Sequence, residues 1–297
     1  MTFSQIALTS IRCVANVHAV LGEGPLWDER IGRLIFLDIK GEKLFLYDPD
    51  NGSTQTLDAP GMISALALAT DGYVCAFQNG FARLAISATG ARLTPIANPE
   101  HDIPGNRFND GKIDPDGGFW AGSMDNAEKD ADAGAWWRLS CDGDVRRIDA
   151  GYHVTNGPAF DHERGLVYLT DSARQIVYRA KFVDGKLADK SEFLRFGDQD
   201  GYPDGMEVDA QGALWIAFWD GGAIRRFSPD GALLQEVTLP VPRPTSLAFV
   251  GQRIYVTSAM VGLSEEAIAR APASGGLFEI CADTFLSRPN LPKLFKI

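Results

Sequence analysis

Asp209-Ala-Gln-Gly-Ala-Leu-Trp, a polar turn with one glycine that runs into an apolar stretch ending in an aromatic residue, decides the fold because the chain repeats it. The same shape recurs as Trp27-Asp-Glu-Arg-Ile-Gly-Arg-Leu-Ile-Phe-Leu, Thr70-Asp-Gly-Tyr-Val-Cys-Ala-Phe, Asp114-Pro-Asp-Gly-Gly-Phe-Trp, Asp161-His-Glu-Arg-Gly-Leu-Val-Tyr and Val250-Gly-Gln-Arg-Ile-Tyr-Val. The turn glycines are Gly32, Gly72, Gly117, Gly165, Gly212 and Gly251, separated by 40, 45, 48, 47 and 39 residues. A period of about 40 to 50 residues marks a radially repeated β architecture. Six repeats imply six blades. A second hairpin tends to follow each turn, as in Ile224-Arg-Arg-Phe-Ser-Pro-Asp-Gly-Ala-Leu-Leu-Gln-Glu-Val-Thr, where Pro-Asp-Gly is a strong turn signal. That gives about four antiparallel strands per blade. The expected fold is all-β, a six-bladed β-propeller. No Gly/Ser-rich or Pro-rich linker interrupts the chain, so residues 1–297 are expected to form a single propeller domain. Ile6 to Ala19 belongs to no complete repeat and is expected to supply an N-terminal strand that closes the last blade and covers open sheet edges. One short helix is expected at Ser264-Glu-Glu-Ala-Ile-Ala-Arg, where a serine N-cap precedes two acids.

The bulk properties narrow the function. With 45% hydrophobic and 23% charged residues among 297, the chain can bury a large core without disulfides. The balance of 28 Lys+Arg against 39 Asp+Glu gives a net charge of -11, without a basic stripe, which argues against nucleic acid and anionic membranes as partners. The N-terminal segment lacks the basic and apolar regions of a secretory signal, and no run of about 18 apolar residues follows. A cytoplasmic location is expected. Cys13, Cys75, Cys141 and Cys281 lie far apart with no C-x-x-C pair, so they are expected to be small buried hydrophobes. G-x-S-x-G, H-E-x-x-H, G-x-x-x-x-G-K-[ST] and G-x-G-x-x-G are all absent, and the four histidines lack metal-ligand spacing. No obligate protein partner is indicated.

Counting back eight or nine residues from each turn glycine reaches the start of the strand that enters the turn, and there stand Glu23, Ser64, Asn109, Asn156 and Asp204. Four of these five carry an amide or carboxylate oxygen, and each of the four sits within one or two residues of a glycine. Asx-Gly pairs also form turns for purely local reasons. Recurrence at one offset, and a glutamate among them, favour a shared purpose. Radial repetition would bring these oxygens to one end of the propeller, in a ring suited to a hard cation such as Ca²⁺, Mg²⁺ or Mn²⁺, with Zn²⁺ also compatible.

The chain resembles the gluconolactonase, regucalcin and senescence marker protein family of six-bladed propellers along essentially its whole length. The motifs that carry the resemblance are Leu21-Gly-Glu-Gly-Pro-Leu-Trp, Arg107-Phe-Asn-Asp-Gly-Lys-Ile-Asp-Pro-Asp-Gly, Ala121-Gly-Ser-Met, Thr155-Asn-Gly-Pro, Tyr202-Pro-Asp-Gly-Met, Leu214-Trp-Ile-Ala and Gly275-Gly-Leu-Phe. The resemblance implies metal-dependent hydrolysis of a small sugar lactone to the aldonic acid. It assigns one divalent ion (Ca, Zn, Mn, Mg or Fe) to Glu23, Asn156 and Asp204, with Asp204 also as the general base, although a carboxylate on a dication loses proton affinity. It assigns substrate contacts to Arg107 and Asn109. Several members add an acid a few residues after Gly-[Ser/Thr]-Met. The matching position here is Ala127, which leaves Asp125 and Glu128 as candidates for that contact. Two other readings remain: a non-catalytic, calcium-binding protein of the regucalcin kind, and a propeller hydrolase acting on other esters.

Overall fold

The computed structural model describes residues 6–129, 132–287 and 294–296. Among them the strands form six four-stranded antiparallel sheets, and the fold is a six-bladed β-propeller. The chain opens with β1 (Leu8–Ala15). Blade one follows as β2 (Gly22–Asp28), β3 (Arg33–Asp38), β4 (Lys43–Tyr47) and β5 (Thr54–Asp58), and blade two as β6 (Ile63–Leu68), β7 (Tyr73–Phe77), β8 (Gly80–Ser87) and β9 (Gly90–Ala97). Blade three is β10 (Asn106–Ile113), β11 (Phe119–Asp125), β12 (Gly134–Leu139) and β13 (Val145–Tyr152), and blade four is β14 (Thr155–Asp161), β15 (Leu166–Asp171), β16 (Ile176–Val183) and β17 (Lys186–Arg195). Blade five is β18 (Tyr202–Val208), β19 (Leu214–Trp219), β20 (Ala223–Phe227) and β21 (Leu233–Thr238). Blade six contains β22 (Pro244–Val250), β23 (Arg253–Ser258) and β24 (Leu277–Ala282), and takes β1 as its fourth strand. The expected N-terminal closure is therefore present, with Ile11 opposite Ile280 and Cys13 opposite Phe278.

The chain groups into two compact units. Met1–Thr56 with Phe196–Pro289 is built on blades one, five and six, and Leu57–Arg195 with Asn290–Ile297 on blades two, three and four. In the first unit, Trp215, Ile224, Val256, Phe278 and Ile280 pack as one core and Phe36, Phe45, Tyr255 and Leu277 as another. In the second unit, Phe81, Phe108 and Phe119 form one cluster, and Trp120, Phe160, Val167 and Leu169 a second. Side chains of this size each contribute about 1.5–3 kcal/mol when fully buried. The first strand of each blade is the inner one within its unit: β22 lies against β2 and β18, and β10 against β6 and β14.

The repeated motif has a direct structural cause. All six turn glycines adopt positive φ, between 61° and 88°, where a Cβ is strained. The aspartates that close the inner strands, Asp28, Asp114, Asp161 and Asp209, are buried and accept backbone N–H groups of their own turns. Two of them do more. Asp209 takes the Trp215 indole N–H at 3.0 Å and Arg226 Nε at 2.7 Å, and Asp114 takes the Trp120 indole at 2.8 Å and Arg138 Nε at 2.5 Å. Asp-x-x-Gly-x-x-Trp thus ties turn, second strand and third strand to one carboxylate.

The expected helix is α1 (Glu265–Arg270), with Ser264 Oγ accepting from Ala267 N at 3.2 Å. Among the described residues no helix is long and apolar enough to cross a membrane. The cysteines depart from expectation. Only Cys75 is buried, which pushes its thiol pKa up; Cys281 is half-buried, and Cys13 and Cys141 are exposed. Cys13 lies on β1, an edge strand, and Cys141 follows β12 in a hairpin turn, where its Sγ donates to Gly117 O. Neither position faces a core.

Candidate functional site

Each inner strand breaks register once with its neighbour. The breaks fall between Glu23 and Leu26, Ile63 and Ala65, Phe108 and Asp110, Asn156 and Ala159, Pro203 and Met206, and Pro244 and Leu247. A bulge bends its strand and re-aims a side chain. Glu23, Ser64, Asn109, Asn156 and Asp204 all stand at these breaks, so counting from the turn glycine located a real feature of five blades. The sixth blade offers Thr245 and Ser246, which the count missed. Its turn is shorter, with Gly251 directly after β22, so eight residues back overshoots the strand. Aligning on strand starts instead would have found them.

In the first unit, Glu23 and Asp204 are each 6% exposed. Glu23 Oε2 accepts the Gly24 N–H at 3.1 Å, and Thr245 Oγ1 donates to Gly22 O, fixing the head of β2 against β22. Beside Asp204, β18 and β22 approach closely: a Cβ on Gly205 would lie 2.4 Å from Ser246 Oγ and 2.9 Å from its Cα. Tyr202 pairs with Trp219, whose ring carries the Arg243 guanidinium at 4.7 Å.

In the second unit a chain of polar bonds joins β10 to β14. Asn126 Oδ1 accepts from Arg107 Nε at 2.9 Å, and Asn109 Oδ1 accepts from Arg107 Nη1 at 2.7 Å. Asn109 Nδ2 donates to Thr155 O at 2.8 Å and to Asn156 Oδ1 at 3.1 Å, and Asn156 Nδ2 donates to Ser172 Oγ at 2.8 Å. Asp110 braces the same junction, accepting Gly111 N–H on Oδ1 and Gly157 N–H on Oδ2. Arg107, Asn109, Asp110, Asn156 and Ser172 are all buried. The amide of Asn156 is held at both ends. Its Oδ1 keeps a second lone pair for a further partner.

The two acids that flank the Ala127 position both make bonds close to this loop. Asp125 caps its own loop, with Oδ1 accepting Ala127 N–H at 3.0 Å and Oδ2 accepting Lys129 N–H at 2.9 Å. Glu128 is exposed at positive φ, and its carbonyl lies 3.2 Å from His153 Nε2. In this segment Asn126 bonds to Arg107. On the alternate residues of β10, Asn106 and Phe108 line a cleft of about 190 Å³ together with Gln78, Asn98, His101 and buried Glu100. Glu100 is tied to Asn106, Ser123 and Trp137.

Among the described residues no cluster of three or more His, Cys, Asp or Glu is placed to hold a metal. The candidate set has two carboxylates and an amide. Buried oxygens of that mixture fit a hard dication, and fit thiolate-loving metals poorly.

Residues 21–260 match the family model described as the SMP-30/Gluconolactonase/LRE-like region. The chain is 34% identical over 284 residues to a regucalcin of Xenopus laevis, covering 91% of this chain and 93% of that protein. It is also 34% identical over 279 residues to a 6-deoxy-6-sulfogluconolactonase of Pseudomonas putida, covering 91% and 94%. Among solved structures, a calcium-binding protein, regucalcin, from Agrobacterium tumefaciens matches with a TM-score of 0.89 at 29% identity, over 97% of this chain and 98% of that one.

Proposed function

This chain belongs to the SMP-30/gluconolactonase/LRE-like family, and from that membership we propose that it hydrolyses a small sugar lactone with one divalent ion held by Glu23, Asn156 and Asp204. The observation that carries the reading is positional. Each of the three is a buried oxygen-bearing side chain at the register break of its inner strand. Relatives that bear lactonase names support the substrate class.

A bound dication would act as a Lewis acid toward the lactone carbonyl oxygen, the atom on which charge grows during attack. Arg107 would donate to ring and hydroxyl oxygens and Asn109 Oδ1 would accept from a hydroxyl, and their mutual bond fixes both groups before substrate arrives. Asn109 also touches Asn156, so a substrate contact at Asn109 would be coupled directly to that candidate metal ligand. Asp204, buried at the register break of β18, is the candidate base for the attacking water.

The test is lactone hydrolysis by pH-stat on metal-stripped protein, with hexono- and pentonolactones and with Ca²⁺, Mg²⁺, Mn²⁺, Fe²⁺ or Zn²⁺ restored singly. Turnover above the spontaneous rate that requires metal is the expected result. Tight metal binding without acceleration would favour a second reading, calcium binding without catalysis, which equal identity to a regucalcin keeps open. Turnover of other esters but no lactone would point to a different hydrolase.

A further inference from the structure

We propose that Asn126 positions Arg107 for substrate, so that an amide in the loop after β11 sets the affinity for the sugar. The inference rests on the lactonase reading and deepens it. Three observations carry it. Asn126 Oδ1 accepts from Arg107 Nε at 2.9 Å, while Nη1 donates to Phe108 O and Asn109 Oδ1. The guanidinium plane is thereby held on two edges, which leaves its direction settled before a ligand arrives. Asn126 is itself fixed, because its N–H donates to Gly105 O at 3.0 Å. Asp125, the neighbouring acid, spends both carboxylate oxygens on the backbone of its own loop and so holds that loop in the shape that presents Asn126. Arg107 is 4% exposed whereas Asn126 is exposed, so the bond links a buried guanidinium to a surface residue.

Asn126→Ala removes the acceptor and Asn126→Asp keeps an oxygen in its place. With D-glucono-1,5-lactone as substrate and the preferred metal restored, Asn126→Ala should raise KM about five- to tenfold while kcat changes less than about threefold, since a hydrogen bond to a charged donor is lost from binding and not from the chemical step. Asn126→Asp should bring KM back to within about threefold of the parent. Calorimetric metal affinity should be unchanged in both, which a general loosening of the site would not allow. Arg107→Ala serves as the control. A large rise of KM in Arg107→Ala together with an unchanged KM in Asn126→Ala would overturn the role of Asn126 alone. An Arg107→Ala variant with parental KM would instead overturn the substrate role of Arg107. Absence of lactone turnover in the parent would overturn the reading on which both depend.

Discussion

Replacing Ser172 with alanine removes the acceptor of Asn156 Nδ2 and should weaken metal binding without unfolding the blade. Asn156 is 4% exposed, so its freed N–H cannot be rescued by bulk water while the side chain keeps its place. Leaving such a donor unsatisfied costs about 1–3 kcal/mol. The amide can recover part of that by rotating toward other acceptors, which turns Oδ1 away from the direction the bond to Asn109 maintains. Of the total, about 1–2 kcal/mol should appear as lost metal affinity, a factor of roughly five to thirty in Kd. The assay is calorimetric titration of Ca²⁺ and Mn²⁺ into metal-stripped protein, with Ser172→Thr as the variant that keeps the hydroxyl and should bind nearly as the parent does. Parental Kd in Ser172→Ala, with an unchanged melting curve, would refute the claim that the 2.8 Å bond orients a ligand.

Three other outcomes follow from bonds elsewhere in the molecule. Asp209→Ala leaves the fully buried Arg226 without its carboxylate and the Trp215 indole without an acceptor, so denaturant unfolding should show a loss of about 3–5 kcal/mol; Asp161→Ala should lose less, because Arg164 keeps 25% exposure and can rehydrate. Gly205→Ala must push Ser246 aside, and should cost about 1–3 kcal/mol by thermal melting and weaken metal binding through the neighbouring Asp204. Glu279 is desolvated by burial, which raises its pKa, but hydrogen bonds from Tyr255 and Arg12 outweigh this and hold it below the ordinary value of 4.5. The unfolded chain therefore binds this proton more readily, so the stabilisation is complete above that value and is lost as pH falls through the lower folded one. Glu279→Gln should flatten the acid limb of a stability–pH curve, and an unchanged limb would exclude Glu279 as its source.

The blades were legible because their turns need the same local chemistry: a glycine at positive φ in all six, and in four of them an aspartate that collects the turn's N–H groups. Such demands act within a few residues and leave a periodic mark. The helix at Ser264 was legible for the same reason, since an N-cap is a local bond. The positions of Glu23, Asn109, Asn156 and Asp204 could be counted from the turns because strand length is nearly constant between blades. The count failed at Thr245 and Ser246, where the shorter β22–β23 turn shifts the frame. Composition misjudged Cys13 and Cys141, because the exposure of an edge strand or a turn is settled by what packs beside it.

The sequence by itself determined that the chain is a six-bladed propeller, that its N-terminal strand completes the last blade, and which strand heads carry oxygen-bearing side chains, because period, turn chemistry and alternation are properties of short segments. Only the tertiary structure decided what those side chains touch. That Asn126 meets Arg107 depends on a loop folded around the Asp125 carboxylate. That Ser172 holds Asn156 depends on the pairing of β14 with β15, which brings together residues sixteen apart in the chain. Hydrogen bonds of this kind form between segments whose separation follows no period, so they become visible only when the strands are in register.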